Sequence, residues 1–232
     1  MRWHVGGTIA AAACSMQYGW AINIGGGMHH AYASTGMGWC PFADVYLAIQ
    51  RLRHASEGAV QRILYIDLDA HQGNGVERDK LRLNDKDLFI LDVFNSGVFP
   101  QDDKAKSAID ISVELRSGVT GPLYLDRLAA ALTQAAADFP SPDLVVYNAG
   151  TDVLSGDPLG RMDVDEASII ARDEAVWRFA AETAKAPIVM MLSGGYAQRS
   201  AAVVADSISN LFAKFSLSLR PMVEEGAQTC SK

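Results

Sequence analysis

RILYIDLDAHQGNG, residues 62–75, starts as an apolar run and ends in charge and glycine. Ile63, Leu64, Tyr65 and Ile66 are apolar at consecutive positions, so both faces of the segment are buried. That is the pattern of an interior strand in a parallel sheet. Asp67, Asp69 and His71 follow at alternate positions. Side chains at i and i+2 of a strand project to one side, so the three are expected together. Ligands of open parallel sheets bind beyond the carboxyl ends of the strands.

The same alternation extends in both directions. WAINI (20–24), DLFILDV (87–93), DLVVYN (143–148) and PIVMML (187–192) read as further strands, and 110–115 as a weaker one. Between them lie helical segments: an Ala-rich one at 8–18, and 42–53 with Phe42, Val45, Tyr46 and Ile49 on one stripe. Residues 123–139 carry Leu125, Leu128, Leu132 and Ala136 at helical spacing, and 166–184 carry Ile169, Asp173, Val176, Trp177 and Ala180. Residues 199–215 align Val204, Ile208, Leu211, Phe212 and Phe215. Two-faced apolar strands separated by amphipathic helices predict an α/β fold, a parallel sheet sandwiched by helices. Residues 1–215 are expected to form this domain and 216–232 a polar tail.

Composition narrows the function. With 232 residues, 49% hydrophobic and 20% charged, the chain is neither disordered nor fibrous. A formal charge of −7 argues against a nucleic-acid binder, which needs a basic face. It suits a cationic substrate. No stretch reaches about 18 apolar residues, so no membrane span is expected. Cys14, Cys40 and Cys230 are too scattered for a disulfide framework or a thiolate metal site, which points to a reducing compartment. Residues 1–14 mimic a short signal peptide, but one Arg makes a poor basic region, and no signal is expected.

Four strand ends carry titratable residues beside glycines: Gly25-Gly26-Gly27-Met28-His29-His30, Asp67 to His71, Ala149-Gly150-Thr151-Asp152, and Ser193-Gly194-Gly195-Tyr196. Three of the five histidines stand there; His4 and His54 do not and receive no role. Asp69 and His71 offer a carboxylate and an imidazole at metal-ligand spacing, and Asp152 closes a third corner. Three ligands with open positions suit a catalytic divalent metal, Zn²⁺ or Fe²⁺. His29 and His30 read as acid/base groups, and Tyr196 as a donor to a developing oxyanion. Leu192-Ser193-Gly194-Gly195 does not fit the serine nucleophile elbow, and no strand is followed by a dinucleotide-binding glycine pattern.

Together GGGMHH (25–30), GWC (38–40), DLDAHQGNG (67–75), NAGTDVLSGDPLG (148–160) and SGGY (193–196) resemble the zinc-dependent histone deacetylases, over about residues 5–215. NAGTD, HQGNG and ADSISNLF (205–212) look most like the class IV branch. The resemblance implies an arginase/deacetylase-like fold and hydrolysis of acyl-lysine amides, long-chain acyl groups included. It implies Zn²⁺ on Asp69, His71 and Asp152, with His30 as general acid/base, His29 as its electrostatic neighbour, and Tyr196 polarising the carbonyl. It places Asp67 behind His29 and Asn74 behind His30. A structural K⁺ is implied near Asp67, Asp69, His71 and Asp92. Gly38, Trp39, Phe99, Gly194 and Gly195 would line an acyl-lysine tunnel. Histones or other acylated proteins as substrates, corepressor-type partners, a role in chromatin and transcription, and residence in nucleus or cytoplasm follow from the same resemblance.

Three departures stand out. Asn74 occupies a position where several deacetylase classes have aspartate, so His30 is expected to be less basic. Trp39 is bulkier than the usual Phe. The family's domain begins well before Gly6-Gly7-Thr8, so the front of the fold is expected to be missing. Two alternatives follow: a catalytically impaired, partner-binding relative, or an acylpolyamine amidohydrolase. A two-metal ureohydrolase would need more aspartates.

Overall fold

The computed structural model describes residues 2–219. Cys230 and all but the first four residues of the expected tail lie outside the described residues. Six strands form one parallel sheet: β1 (Trp20–Asn23), β2 (Ile63–Asp67), β3 (Leu88–Asn95), β4 (Ile111–Leu115), β5 (Leu144–Asn148) and β6 (Ile188–Met191). Their spatial order is β1-β6-β5-β2-β3-β4.

The strands bury both faces with period 2. Ile63 and Tyr65 join Ile90, Val146 and Val189 in one core. Leu64 and Ile66 join Leu91, Val145 and Met190 in the other. α1 (Arg2–Tyr18) and α2 (Asp44–Ala55) cover the first face, with Val45, Tyr46 and Ile49 turned inward. α5 (Gly121–Asp138), α6 (Glu166–Arg178) and α7 (Ser200–Lys214) cover the second through Leu128, Ile169, Val176 and Leu211. Each fully buried Leu or Ile contributes about 1.5–3 kcal/mol by leaving water. Two short helices, α3 (Asn74–Leu83) and α4 (Asp103–Lys106), complete the set.

Register brings the strand ends into line. Asp67 is level with Asp92 on one side and Asn148 on the other, and Asn148 and Asn23 are level with Met191. The carboxyl edge is therefore a row of side chains from five strands, and the site is built on it.

The structure corrects several sequence expectations. The first helix starts at Arg2 rather than near residue 8. Gly6 and Gly7 lower helix propensity, but Gly7 lies against the Asn23 side chain, where a Cβ would sit 3.0 Å from Asn23 Oδ1. Residues 166–184 are not one α-helix: α6 ends at Arg178 and a π-helical turn runs Phe179–Ala184, burying Phe179 and Ala180. α3 was not anticipated, because its buried residues are Asn74, Gly75, Val76, Glu77 and Asp79 rather than an apolar stripe. β2 ends at Asp67, so strand alternation does not reach Asp69 and His71. No described helix is long and apolar enough to cross a membrane.

Candidate active site

Asp67, the last residue of β2, is fully buried and accepts four hydrogen bonds. Oδ2 takes the Tyr65 hydroxyl at 2.7 Å and His29 Nδ1 at 2.8 Å. Oδ1 takes the Asn148 amide at 2.9 Å and the Asp69 N–H at 3.2 Å. The last bond turns the chain out of the strand. A second turn bond, from the His71 N–H to Asp69 Oδ1 at 2.9 Å, repeats the device two residues on. Asp69 and His71 thus converge through turn chemistry rather than the ladder.

Asp152 lies beyond the end of β5, in the loop and not on the strand. The donor atoms of Asp69, His71 and Asp152 all lie within 4.8 Å of one another, and all three residues are buried. His71 Nδ1 is 2.8 Å from Asp152 Oδ2 and 3.1 Å from Asp69 Oδ1. The other carboxylate oxygens are tied back: Asp69 Oδ2 accepts from Ser193 Oγ and the Gly194 N–H, both at 2.9 Å, and Asp152 Oδ1 from the Ala70 N–H at 2.7 Å. One oxygen of each aspartate and one imidazole nitrogen therefore face a common point. Two hard oxygens, each on a carboxylate whose other oxygen is tied back, and one borderline nitrogen are a donor set for a divalent cation such as Zn²⁺ or Fe²⁺.

The charges are strongly perturbed. Burial and Asp69 push Asp152 up to about 7. Burial opposes ionisation of Asp69 too, but His29 and His71 hold it well below the usual carboxylate range. His71 is raised to about 10, its bonds to Asp152 and Asp69 outweighing burial.

His29 and His30 lie beside this group, with ring centroids 4.1 Å apart and His30 5.9 Å from His71. Burial opposes charge on His29, yet Asp67 and Asp69 prevail and raise it to about 9. His30 goes the other way: burial and the positive His29 push it down to about 3. Its Nδ1 is 2.8 Å from Asn74 Oδ1, a neutral partner. The surroundings push the two rings in opposite directions, His29 towards the charged form and His30 towards the neutral one, a separation of the kind an acid/base pair would use.

Tyr196 is half-exposed at the rim, its ring 5.7 Å from Trp39. Phe99 stands edge-on to His30 at 5.0 Å. Trp39 is 77% exposed, so it forms a lip. Gly38 has φ +53°, and a Cβ there would meet His30 Cδ2 at 2.4 Å. Gly194 also lacks room for a side chain, with a Cβ 2.7 Å from Asp69 Oδ2. Gly195 follows it on the approach to Tyr196, against Thr151. Asp92 lies one strand away, with Oδ2 bonded to the Gly73 N–H, and burial with the nearby Asp67 and Glu77 pushes its carboxyl well above the usual range.

Three residues that hold this edge were not anticipated. Asp44, at the start of α2, accepts from the Gly27 and Met28 N–H groups at 2.9 and 2.8 Å and from the Thr8 hydroxyl, so it holds the loop before His29. Asp157 accepts from the Tyr196 and Ala197 N–H groups through Oδ2, and from Leu159 and Gly160 through Oδ1. Arg172, fully buried in α6, donates to the carbonyls of Leu68 and Gly150 at 3.2 and 2.6 Å. Those carbonyls lie just before Asp69 and in the Asp152 loop. The one sequence cue was Asp173 on the apolar stripe of α6, which pairs with Arg172.

Residues 1–212 match the family model described as the histone deacetylase domain. The chain is 48% identical over 224 residues to Histone deacetylase 2 of Arabidopsis thaliana, covering 95% of this chain and 55% of that protein. It is 31% identical over 166 residues to Histone deacetylase 8 of Xenopus tropicalis, covering 67% of this chain and 43% of that protein. Among solved structures it superposes on an HDAC homolog complexed with SAHA (TM-score 0.75, 24% identity, 92% of this chain and 56% of that one). It also superposes on the acetylpolyamine aminohydrolase of Burkholderia pseudomallei (TM-score 0.76, 21% identity, 91% and 62%). The chain spans about half the length of these curated relatives.

Proposed function

Because the chain belongs to the histone deacetylase family, we propose that it is a metal-dependent amide hydrolase acting on acylated lysine side chains. The observation that carries this reading is the meeting of Asp69, His71 and Asp152 with the His29–His30 pair at one end of the sheet. A divalent cation held by the triad supplies polarisation of the amide carbonyl and a more acidic water.

The protein's own groups do the rest. Asn74 Oδ1 faces His30 Nδ1, so the proton of the neutral ring sits on Nδ1 and Nε2 is free to accept the water proton. His29, charged beside Asp67, keeps His30 neutral until that transfer. The Tyr196 hydroxyl donates to the carbonyl oxygen as charge develops there. His30 then returns a proton to the lysine nitrogen as the C–N bond breaks. Gly38, Trp39, Phe99, Gly194 and Gly195 are proposed to line the approach of the acyl-lysine. K⁺ is proposed as a second ion behind the site, near Asp67, Asp69, His71 and Asp92.

The test is hydrolysis of acetyl-lysine and long-chain acyl-lysine peptides by purified, Zn²⁺-loaded protein. Hydroxamate inhibition and loss of activity in Asp152→Ala are expected. The net charge of −7 suits a polyamine as well as a lysine-rich protein, so acetylated polyamines form a second arm. Folded, metal-bound protein that hydrolyses none of these amides would overturn the proposal.

A further inference from the structure

We propose that Asp102 is a positioning residue for the acid/base step: it orients the Asn74 side-chain amide, and through it dictates which nitrogen of His30 carries the proton. The inference rests on His30 being the base, as proposed above.

Asn74 and Asp102 belong to different helices, α3 and the cap of α4. Asn74 Nδ2 donates to Asp102 Oδ2 at 3.3 Å and to Met37 Sδ at 3.3 Å. The same Asp102 oxygen accepts from Arg78 Nε at 2.5 Å. Asp102 Oδ1 accepts the Ala105 N–H at 3.1 Å, capping α4, and the Asp102 N–H donates to Gln72 Oε1 at 3.0 Å. Burial opposes ionisation of Asp102, but Arg78 holds its carboxyl below the usual range.

The logic follows from donor and acceptor inventories. An ionised carboxylate only accepts, so it fixes the NH₂ end of Asn74 towards itself. The amide oxygen must then face His30 Nδ1, which it does at 2.8 Å. That oxygen also only accepts, so Nδ1 must carry the hydrogen and Nε2 keeps its lone pair. A reversed amide would present N–H to Nδ1 and drive the proton to Nε2, leaving no base. An aspartate at position 74 would accept from Nδ1 either way round; an asparagine needs a third residue to choose its orientation. Asp102, clamped by Arg78, makes that choice.

Asp102→Ala removes the acceptor that sorts the Asn74 amide, and the α4 cap with it. In the Zn²⁺-loaded protein, kcat on an acetyl-lysine peptide is expected to fall at least about tenfold with KM little changed. On an Asn74→Asp background the same change should raise activity, because a carboxylate at 74 needs no orienting and is relieved of a facing charge. A merely structural role in α4 would lower activity on both backgrounds alike. Nitrogen-15 NMR of the histidine rings supplies the second readout. His30 should be protonated at Nδ1 in the wild type and shift towards Nε2 in Asp102→Ala. Equal losses on both backgrounds, or an unmoved His30 tautomer, would overturn the proposal. If the wild type hydrolyses no acyl-lysine, the function reading fails by itself, and the NMR result still decides the role of Asp102.

Discussion

Arg172→Met should be among the most damaging single changes outside the site. The guanidinium is fully buried and sits where α6 meets the carboxyl ends of β2 and β5. It holds Asp173 through Nε at 2.9 Å and Nη2 at 2.8 Å. Its remaining N–H groups reach Gly150 O at 2.6 Å, Leu68 O at 3.2 Å and Ala149 O at 3.4 Å. Methionine fills much of the volume and restores none of these bonds. Asp173 would keep the Tyr147 and Ser207 hydroxyls but lose its counter-charge. Removing one partner of a buried ion pair costs about 3–5 kcal/mol. At roughly 2–4 °C per kcal/mol for a chain of this size, the melting temperature should fall by about 10 °C. The Leu68 and Gly150 carbonyls anchor the loops carrying Asp69 and Asp152, so Zn²⁺ affinity should also fall about tenfold or more. Denaturant unfolding measures the first effect and competition with a chromogenic chelator the second. Arg172→Met/Asp173→Asn removes the stranded charge and should recover much of the stability. A single variant that loses less than about 1 kcal/mol, or a double variant no more stable than the single, would refute this reasoning.

Four further outcomes can be checked. Tyr196→Phe should lower kcat by about 10²–10³ while leaving the thermal transition nearly unchanged, because the lost hydroxyl acts on the substrate oxygen. Asp157→Ala leaves four main-chain N–H groups without their acceptor, two of them at Tyr196 and Ala197. It should cost about 2 kcal/mol in urea unfolding and also reduce kcat, since the Tyr196 loop is freed. Saturating Zn²⁺ at about 100 times its dissociation constant should add about 2.7 kcal/mol of stability, read as a rise in melting temperature that a chelator reverses. Gly38→Ala should abolish hydrolysis in a folded protein, because its methyl group would displace the His30 ring.

The parts of the site that could be read in the sequence share a property: each follows an apolar strand along the chain. Asp67 closes β2, Asp152 comes shortly after β5, and Tyr196 shortly after β6, so one-dimensional order already places them on one edge of a parallel sheet. The sheet and its covering helices were legible for the same reason, since two-faced apolar runs and helical stripes are local signals. What stayed hidden is whatever acts across the chain. Arg172 is 104 residues from Leu68, and Asp44 binds Gly27 from 17 residues away. No periodicity reports such pairings, and a buried aspartate looks like a surface one until its partners are placed. α3 was missed because it inverts the usual rule. Asn74, Glu77 and Asp79 point inward, so its buried face is polar where a stripe search demands apolar residues. Buried polar residues on a helix require partners, and those of α3 find them in His30, Gln72 and the Ala33 N–H. The failure of the helix signal and the construction of the site therefore have one cause: a helix whose inner face holds the neighbouring loops by hydrogen bonds cannot also display an apolar stripe. The same reasoning applies to Asp173, a carboxylate on an otherwise apolar stripe of α6. It interrupted that pattern because it holds the arginine on which the Asp69 and Asp152 loops rest.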